Sequence, residues 1–168
     1  IRFNNEGNMF IADYAIHNIL YVAMDSKTVS VFAHDSSMSQ PNDIAICKNN
    51  DLFASDPDWT HETGKLWYIK NDGKMKLLED SMGTVNGIEV SPDEKKIYVN
   101  ESIQRNIWVY DLSENGNISN KKLFIHFFDG GLDGMKCDIT GNLYVARYDK
   151  GMVIKLSPEG KIIKEIKL

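Results

Sequence analysis

The chain has no run of about 18 or more apolar residues, the length a membrane-spanning helix needs, so no segment reads as a span. It has no basic stripe either. The net charge is −5 with acids and bases interspersed, which excludes the electrostatic footprint of a nucleic-acid binder. Lys95-Lys96 and Lys121-Lys122 are pairs in turns, and solvated loops account for them. Cysteine is scarce: Cys47 and Cys137 end strands in different units of the chain, without Cys-X-X-Cys spacing. Neither a disulfide nor a zinc or redox site is expected, and both read as small buried apolar residues. The histidines His17, His34, His61 and His126 are isolated, and none has a partner at metal-ligand spacing. Helical periodicity is missing throughout.

What remains is a repeat. The segments Pro41-Asn42-Asp43-Ile44-Ala45-Ile46, Val85-Asn86-Gly87-Ile88-Glu89-Val90 and Leu132-Asp133-Gly134-Met135-Lys136-Cys137 each open a β-rich unit. Asn42 and Asn86 are 44 residues apart, and Asn86 and Asp133 are 47 apart. A period in the forties is that of four-stranded propeller blades. Second strands recur at Asn8–Asp13, Asp51–Asp56, Lys96–Glu101 and Asn142–Arg147, and third strands at Asn18–Val22, Lys65–Ile69, Asn106–Tyr110 and Gly151–Lys155. Turn residues such as Asn71-Asp72-Gly73 and Glu114-Asn115-Gly116 follow, and an alternating fourth strand closes each unit.

The expected fold is therefore an all-β propeller of four-stranded blades, with about four blades present. They fall at approximately 1–39, 40–83, 84–130 and 131–168, one propeller fragment with a core of its own. Ile1 aligns with Ile44, Ile88 and Met135, inside a first strand. That start suggests the middle of a larger propeller and leaves room upstream for a leader segment. Compartment is left open, with a soluble cytoplasmic location favoured. Oligomeric state is not legible. Phe10, Phe53, Tyr98 and Tyr144 repeat at one strand position, and Trp67 and Trp108 at another. Packing between blades explains both sets.

First strands line a propeller's channel, so Asn42, Asn86 and Asp133 are expected to converge on its axis. Two amide oxygens and a carboxylate form an all-oxygen set of the kind hard divalent cations prefer. Asn86-Gly87 and Asp133-Gly134 are also turn dipeptides, which is the competing explanation. The turn explanation does not account for the apolar, alternating strand that follows all three residues.

Gln40-Pro41-Asn42-Asp43-Ile44, Leu52-Phe53-Ala54-Ser55-Asp56-Pro57, Val85-Asn86-Gly87-Ile88-Glu89-Val90-Ser91-Pro92-Asp93 and Leu132-Asp133-Gly134-Met135 resemble, in this order, the SMP-30/gluconolactonase/luciferin-regenerating-enzyme family. The resemblance extends over nearly the whole chain. It implies a six-bladed propeller and a calcium-dependent hydrolase that opens a lactone, with Zn2+, Mg2+ or Mn2+ as alternative ions. It also implies that Asn42, Asn86 and Asp133 are axial metal ligands and that Asp133 is the catalytic residue, as ligand first and base second. The family's remaining ligand, a glutamate in its first blade, has no match here.

Asp56 is expected near the channel mouth, orienting substrate hydroxyls, with a strand-end turn residue as its other reading. Gln40 is expected at the same mouth, where some relatives carry an arginine. Glu101 and Arg147 hold comparable positions and read as solvent-facing charges, while Trp59 and His61 lie in a loop that covers the pocket. The alternatives are an organophosphate or other ester hydrolase on the same site, and a binding scaffold with a structural ion. The expected partner is a small lactone or ester, with neither nucleic acid nor membrane.

Overall fold

Short runs of β-branched and aromatic residues, separated by turn-forming ones, produce sixteen strands and no helix. The computed structural model describes residues 1–168. Four sheets follow one another. The first holds β1 (Arg2–Phe3), β2 (Met9–Asp13), β3 (Asn18–Ala23) and β4 (Thr28–His34). The second holds β5 (Asp43–Ile46), β6 (Leu52–Asp58), β7 (Thr63–Ile69) and β8 (Met75–Met82). The third runs through β9 (Val85–Val90), β10 (Lys96–Glu101), β11 (Asn106–Leu112) and β12 (Ile118–His126), and the fourth through β13 (Gly131–Cys137), β14 (Leu143–Tyr148), β15 (Met152–Leu156) and β16 (Ile162–Lys167). Every sheet is an antiparallel meander in chain order, the form of a propeller blade. No helix is long and apolar enough to cross a membrane.

Strand side chains alternate between faces, so each blade feeds two apolar layers. Leu52 and Ala54 pack with Phe10, Ile19 and Ile44 between the first and second blades. Phe53 points the other way, into a layer with Leu66, Val85, Ile88 and Ile97 between the second and third. Tyr98, Ile107, Leu132 and Leu143 fill the third layer. Full burial of each large apolar side chain contributes about 1.5–3 kcal/mol. The layers hold successive blades face to face, and that brings the first strands β1, β5, β9 and β13 together along one line. Strand β9, between β5 and β13, is buried at every position.

Trp67 is buried in the layer between the first and second blades, and Trp108 packs, partly buried, against the layer between the second and third, with the Lys121 ammonium 4.7 Å from its ring centroid. One expectation is corrected here, that for Tyr144. Phe10, Phe53 and Tyr98 are buried between blades, while Tyr144 is half-buried, since no further sheet packs on its side of the fourth blade.

Candidate functional site

The register of the inner strands shifts where the recurring Asn and Asp stand. In the third blade Val99 pairs with Ile88, but Glu101 pairs with Val85, so Asn86 and Gly87 together face Asn100. In the fourth blade Met135 pairs with Val145 and Leu132 with Arg147, so Asp133 and Gly134 together face Ala146. Each is a β-bulge, which bends the strand and re-aims its side chains. Asn42 sits just before β5, its N–H donating to the Ser55 carbonyl at 2.9 Å.

These elements bring Asn42, Asn86 and Asp133 to the wall of one cavity of ≈ 390 Å³. Asn86 is 6% exposed, and its Nδ2 donates to the Leu132 carbonyl at 3.2 Å. Its Oδ1 is buried with no partner at all. Leaving such an acceptor unsatisfied costs about 1–3 kcal/mol, which a bound cation would offset. The Asp133 carboxylate is exposed and has neither an ion pair nor a hydrogen bond. An orphaned amide oxygen, a free carboxylate and a further amide in one cavity fit a hard divalent cation.

Below the trio lies an ionic floor that sequence reasoning missed. Arg2 bridges Asp43 at 3.2 Å and approaches Glu89 at 3.7 Å. Lys136 reaches Glu89 at 2.9 Å, and the Cys137 N–H donates to it at 3.2 Å. The Ile88 N–H donates to Asp43 at 3.2 Å. Two cations thus neutralise two carboxylates, and Asp133 is left as the uncompensated charge of the cavity. Glu89 had a signal, a charged residue between Ile88 and Val90 in a strand that otherwise reads as apolar. Arg2 had none, since its partners are distant in sequence.

The outer members of the expected site are placed differently. Asp56 is fully buried, and its carboxylate takes the Ser39 N–H at 2.9 Å, the Gln40 N–H at 2.6 Å and the Trp67 indole N–H at 3.0 Å. With its acceptor sites occupied, it clamps the loop that leads to Asn42 and does not line the cavity. Gln40 is also off the cavity wall, its Nε2 donating to the Tyr14 hydroxyl at 3.0 Å. Glu101 and Arg147 are not solvent-facing. Glu101 accepts from the Gly83 N–H at 2.8 Å, just before Asn86 in the chain, and Arg147 is 5% exposed and bonds the Asp129 carbonyl ahead of Asp133. Each of these strand-end charges holds the approach loop of its own blade. Trp59 lies away from the cavity, with its N–H 3.4 Å from the Gln40 carboxamide oxygen. His61 is exposed and pairs with Asp58 at 2.7 Å.

A larger cavity of ≈ 700 Å³ lies at the turns of the second and third blades, with Cys47, Asp51, Tyr68, Asp93 and Glu94 on its wall. Asp51 there already takes the Tyr68 hydroxyl at 2.5 Å and the Asn71 N–H at 2.8 Å, so its chemistry is committed. Burial pushes the Cys47 and Cys137 thiols up to about 12, which keeps both protonated at neutral pH.

A family model for the SMP-30/Gluconolactonase/LRE-like region matches residues 3–168. Gluconolactonase of Zymomonas mobilis is 28% identical over 187 residues, covering 97% of this chain and 52% of that protein. Diisopropyl-fluorophosphatase of Loligo vulgaris is 27% identical over 173 residues, covering 90% of this chain and 55% of that protein. The solved structure of regucalcin from Agrobacterium tumefaciens, described as a calcium-binding protein, superposes with a TM-score of 0.86 at 20% identity. It covers 99% of this chain and 58% of the other, and establishes that the two share the propeller fold. The chain spans about half the length of the curated relatives it matches.

Proposed function

The chain belongs to the SMP-30/gluconolactonase/LRE-like family, and from that premise we propose that it carries the site of a metal-dependent hydrolase that opens a lactone. The observation that carries this reading is the orphaned Asn86 Oδ1 in one cavity with the unpaired Asp133 carboxylate and Asn42. These three residues would hold the ion. Calcium suits neutral amide donors best, with Zn2+, Mg2+ or Mn2+ as alternatives. Calcium takes about six to eight oxygens, so water, substrate and other protein groups complete its shell. When bound, the cation supplies Lewis-acid polarisation of the ester carbonyl.

The chain's own residues do the remaining work. Asp133 orients a water at a carboxylate oxygen and accepts its proton as the water oxygen bonds to the carbonyl carbon. The ring C–O bond then breaks, and the departing oxygen takes the proton back from Asp133, which leaves a hydroxy acid and restores the carboxylate. Asn86 keeps its Nδ2 on the Leu132 carbonyl, so its Oδ1 is the atom left for the site. Arg2 and Lys136 hold Asp43 and Glu89, which leaves Asp133 undistracted by a neighbouring cation.

Calcium titration by calorimetry, with hydrolysis of δ-gluconolactone followed in parallel, tests the reading on the protein and its Asp133→Ala variant. Binding and turnover are both expected to collapse in the variant. Binding that persists unchanged would sink the axial metal site. The likeness to a diisopropyl-fluorophosphatase supports a second reading, hydrolysis of organophosphates or other esters on the same residues. Relative rates on δ-gluconolactone and diisopropyl fluorophosphate separate the two, and calcium binding without turnover of either would favour a scaffold with a structural ion.

A further inference from the structure

Behind the three candidate ligands, two buried polar side chains repeat one role in successive blades. Ser55 and Asn100 hold the same blade position, the fifth residue of the second-strand repeat, where the first and fourth blades carry Ala12 and Ala146. Both are 0% exposed. The Ser55 hydroxyl accepts from the Asp43 N–H at 3.1 Å, the amide just after Asn42, and donates to the carbonyl of Asn86 in the next blade. The Asn100 Oδ1 accepts from the Gly87 N–H at 3.1 Å, the amide just after Asn86. Its Nδ2 donates to the carbonyl of Asp133 in the next blade at 2.6 Å.

The two side chains therefore do the same thing at successive blade junctions. Each accepts a hydrogen bond from the peptide N–H that follows one ligand and donates one to the peptide carbonyl of the next. Asn86, Gly87 and Asp133 stand at bulges, where ladder partners are lost and these side chains supply bonds, while Asp43 and Ser55 pair in regular register. The result is an unbroken line of hydrogen bonds from Asp43 through Asn86-Gly87 to Asp133, tying three ligand backbones from three blades. Serine and asparagine differ in reach, and each spans the gap at its own junction with both bonds formed.

We propose that Ser55 and Asn100 are positioning residues that fix the mutual spacing of Asn42, Asn86 and Asp133 and thereby set the affinity for the divalent cation. The proposal rests on the metal reading given above. Removing a group that orients ligands of this kind typically costs about 10–100-fold in metal affinity. Such a loss is expected for Ser55→Ala and for Asn100→Ala, which places in the third blade the residue that stands at that position in the fourth. Asn100→Asp keeps the acceptor for Gly87 but loses the donor to Asp133, and the same loss of affinity is expected.

The test is calcium titration by calorimetry of the wild-type protein and these variants, with thermal unfolding measured without calcium. Ile97→Val, in the apolar layer between the second and third blades, is the control for general loosening. Weakened binding in the Ser55 and Asn100 variants, with Ile97→Val binding as the wild type does, establishes the positioning role. Wild-type affinity in folded Ser55→Ala and Asn100→Asp would overturn it, as would an equal loss in Ile97→Val. If Asn100→Ala does not fold, Ser55→Ala and Asn100→Asp decide the matter. A wild-type protein that binds no divalent ion would instead overturn the metal reading itself.

Discussion

The bulges of the third and fourth blades present equivalent dipeptides, Asn86-Gly87 and Asp133-Gly134, yet they are built differently. At Gly87 an added Cβ would lie 2.4 Å from the Asp133 carbonyl oxygen and 2.7 Å from the Asn100 amide nitrogen. At Gly134 it would meet nothing within 4 Å. The first glycine is required because two blades close on it. The second borders the open cavity. Across the ladder the third-blade bulge faces Asn100, which bonds it, and the fourth-blade bulge faces Ala146, which cannot. Even the approach loops use opposite polarity, since a carboxylate of Glu101 takes an N–H in one and the Arg147 guanidinium donates to a carbonyl in the other. The same sequence pattern is thus served by a rigid, packed bulge that carries an amide and an open one that carries a carboxylate.

The strongest way to break this comparison is Gly87→Ala. A methyl group forced against backbone in a packed region costs about 1–3 kcal/mol, and the upper end is expected here because the nearest atom belongs to a backbone carbonyl. Urea unfolding measures it, and a loss below about 0.5 kcal/mol would mean that the two blades yield easily at this point. Next comes Arg147→Met, which removes the guanidinium stacked over the Phe127 ring and with it the donor to Asp129. Hydrogen bonds to charged groups are worth about 1.5–3 kcal/mol, and a loss near the lower end is expected because the Asp129 side chain is exposed. Gly134→Ala sharpens the contrast from the other side. Its stability is expected to stay within about 0.5 kcal/mol of the wild type, the range of surface changes that touch nothing. A large loss there would show that the fourth bulge is packed after all.

Much of the fold was legible because its signals are local. The alternation that buries Leu52 and Ala54 on one side and Phe53 on the other is visible in six consecutive residues. The turn at Asn71-Asp72-Gly73 closes with a left-handed glycine, φ +83° at Gly73, as its residue types suggest. The recurring Asn42, Asn86 and Asp133 could be found by aligning repeats, and the structure sets them around one cavity. Asp56, Glu101 and Arg147 were harder. A charge at a strand end reads as a mouth or surface residue, and only the path of the preceding loop shows that each is spent on backbone groups. Ser55 and Asn100 were detectable in principle, as the two polar residues at a repeat position shared with Ala12 and Ala146. Their partners were not.

Sequence alone determined the number of blades, the strand alternation and the recurrence of an oxygen-bearing residue at one place in three units. Those follow from a two-residue strand period, from turn chemistry and from a period in the forties, all of which act within a short stretch of chain. Tertiary structure decided what surrounds that oxygen. The Asn86 amide meets the Leu132 carbonyl across 46 residues, and Asp43 meets the Ile88 N–H across 45. Neither pair exists until the apolar layers have pressed successive blades together. Hydrogen bonds that cross between blades depend on that approach to within a few tenths of an ångström, a distance that no local pattern encodes.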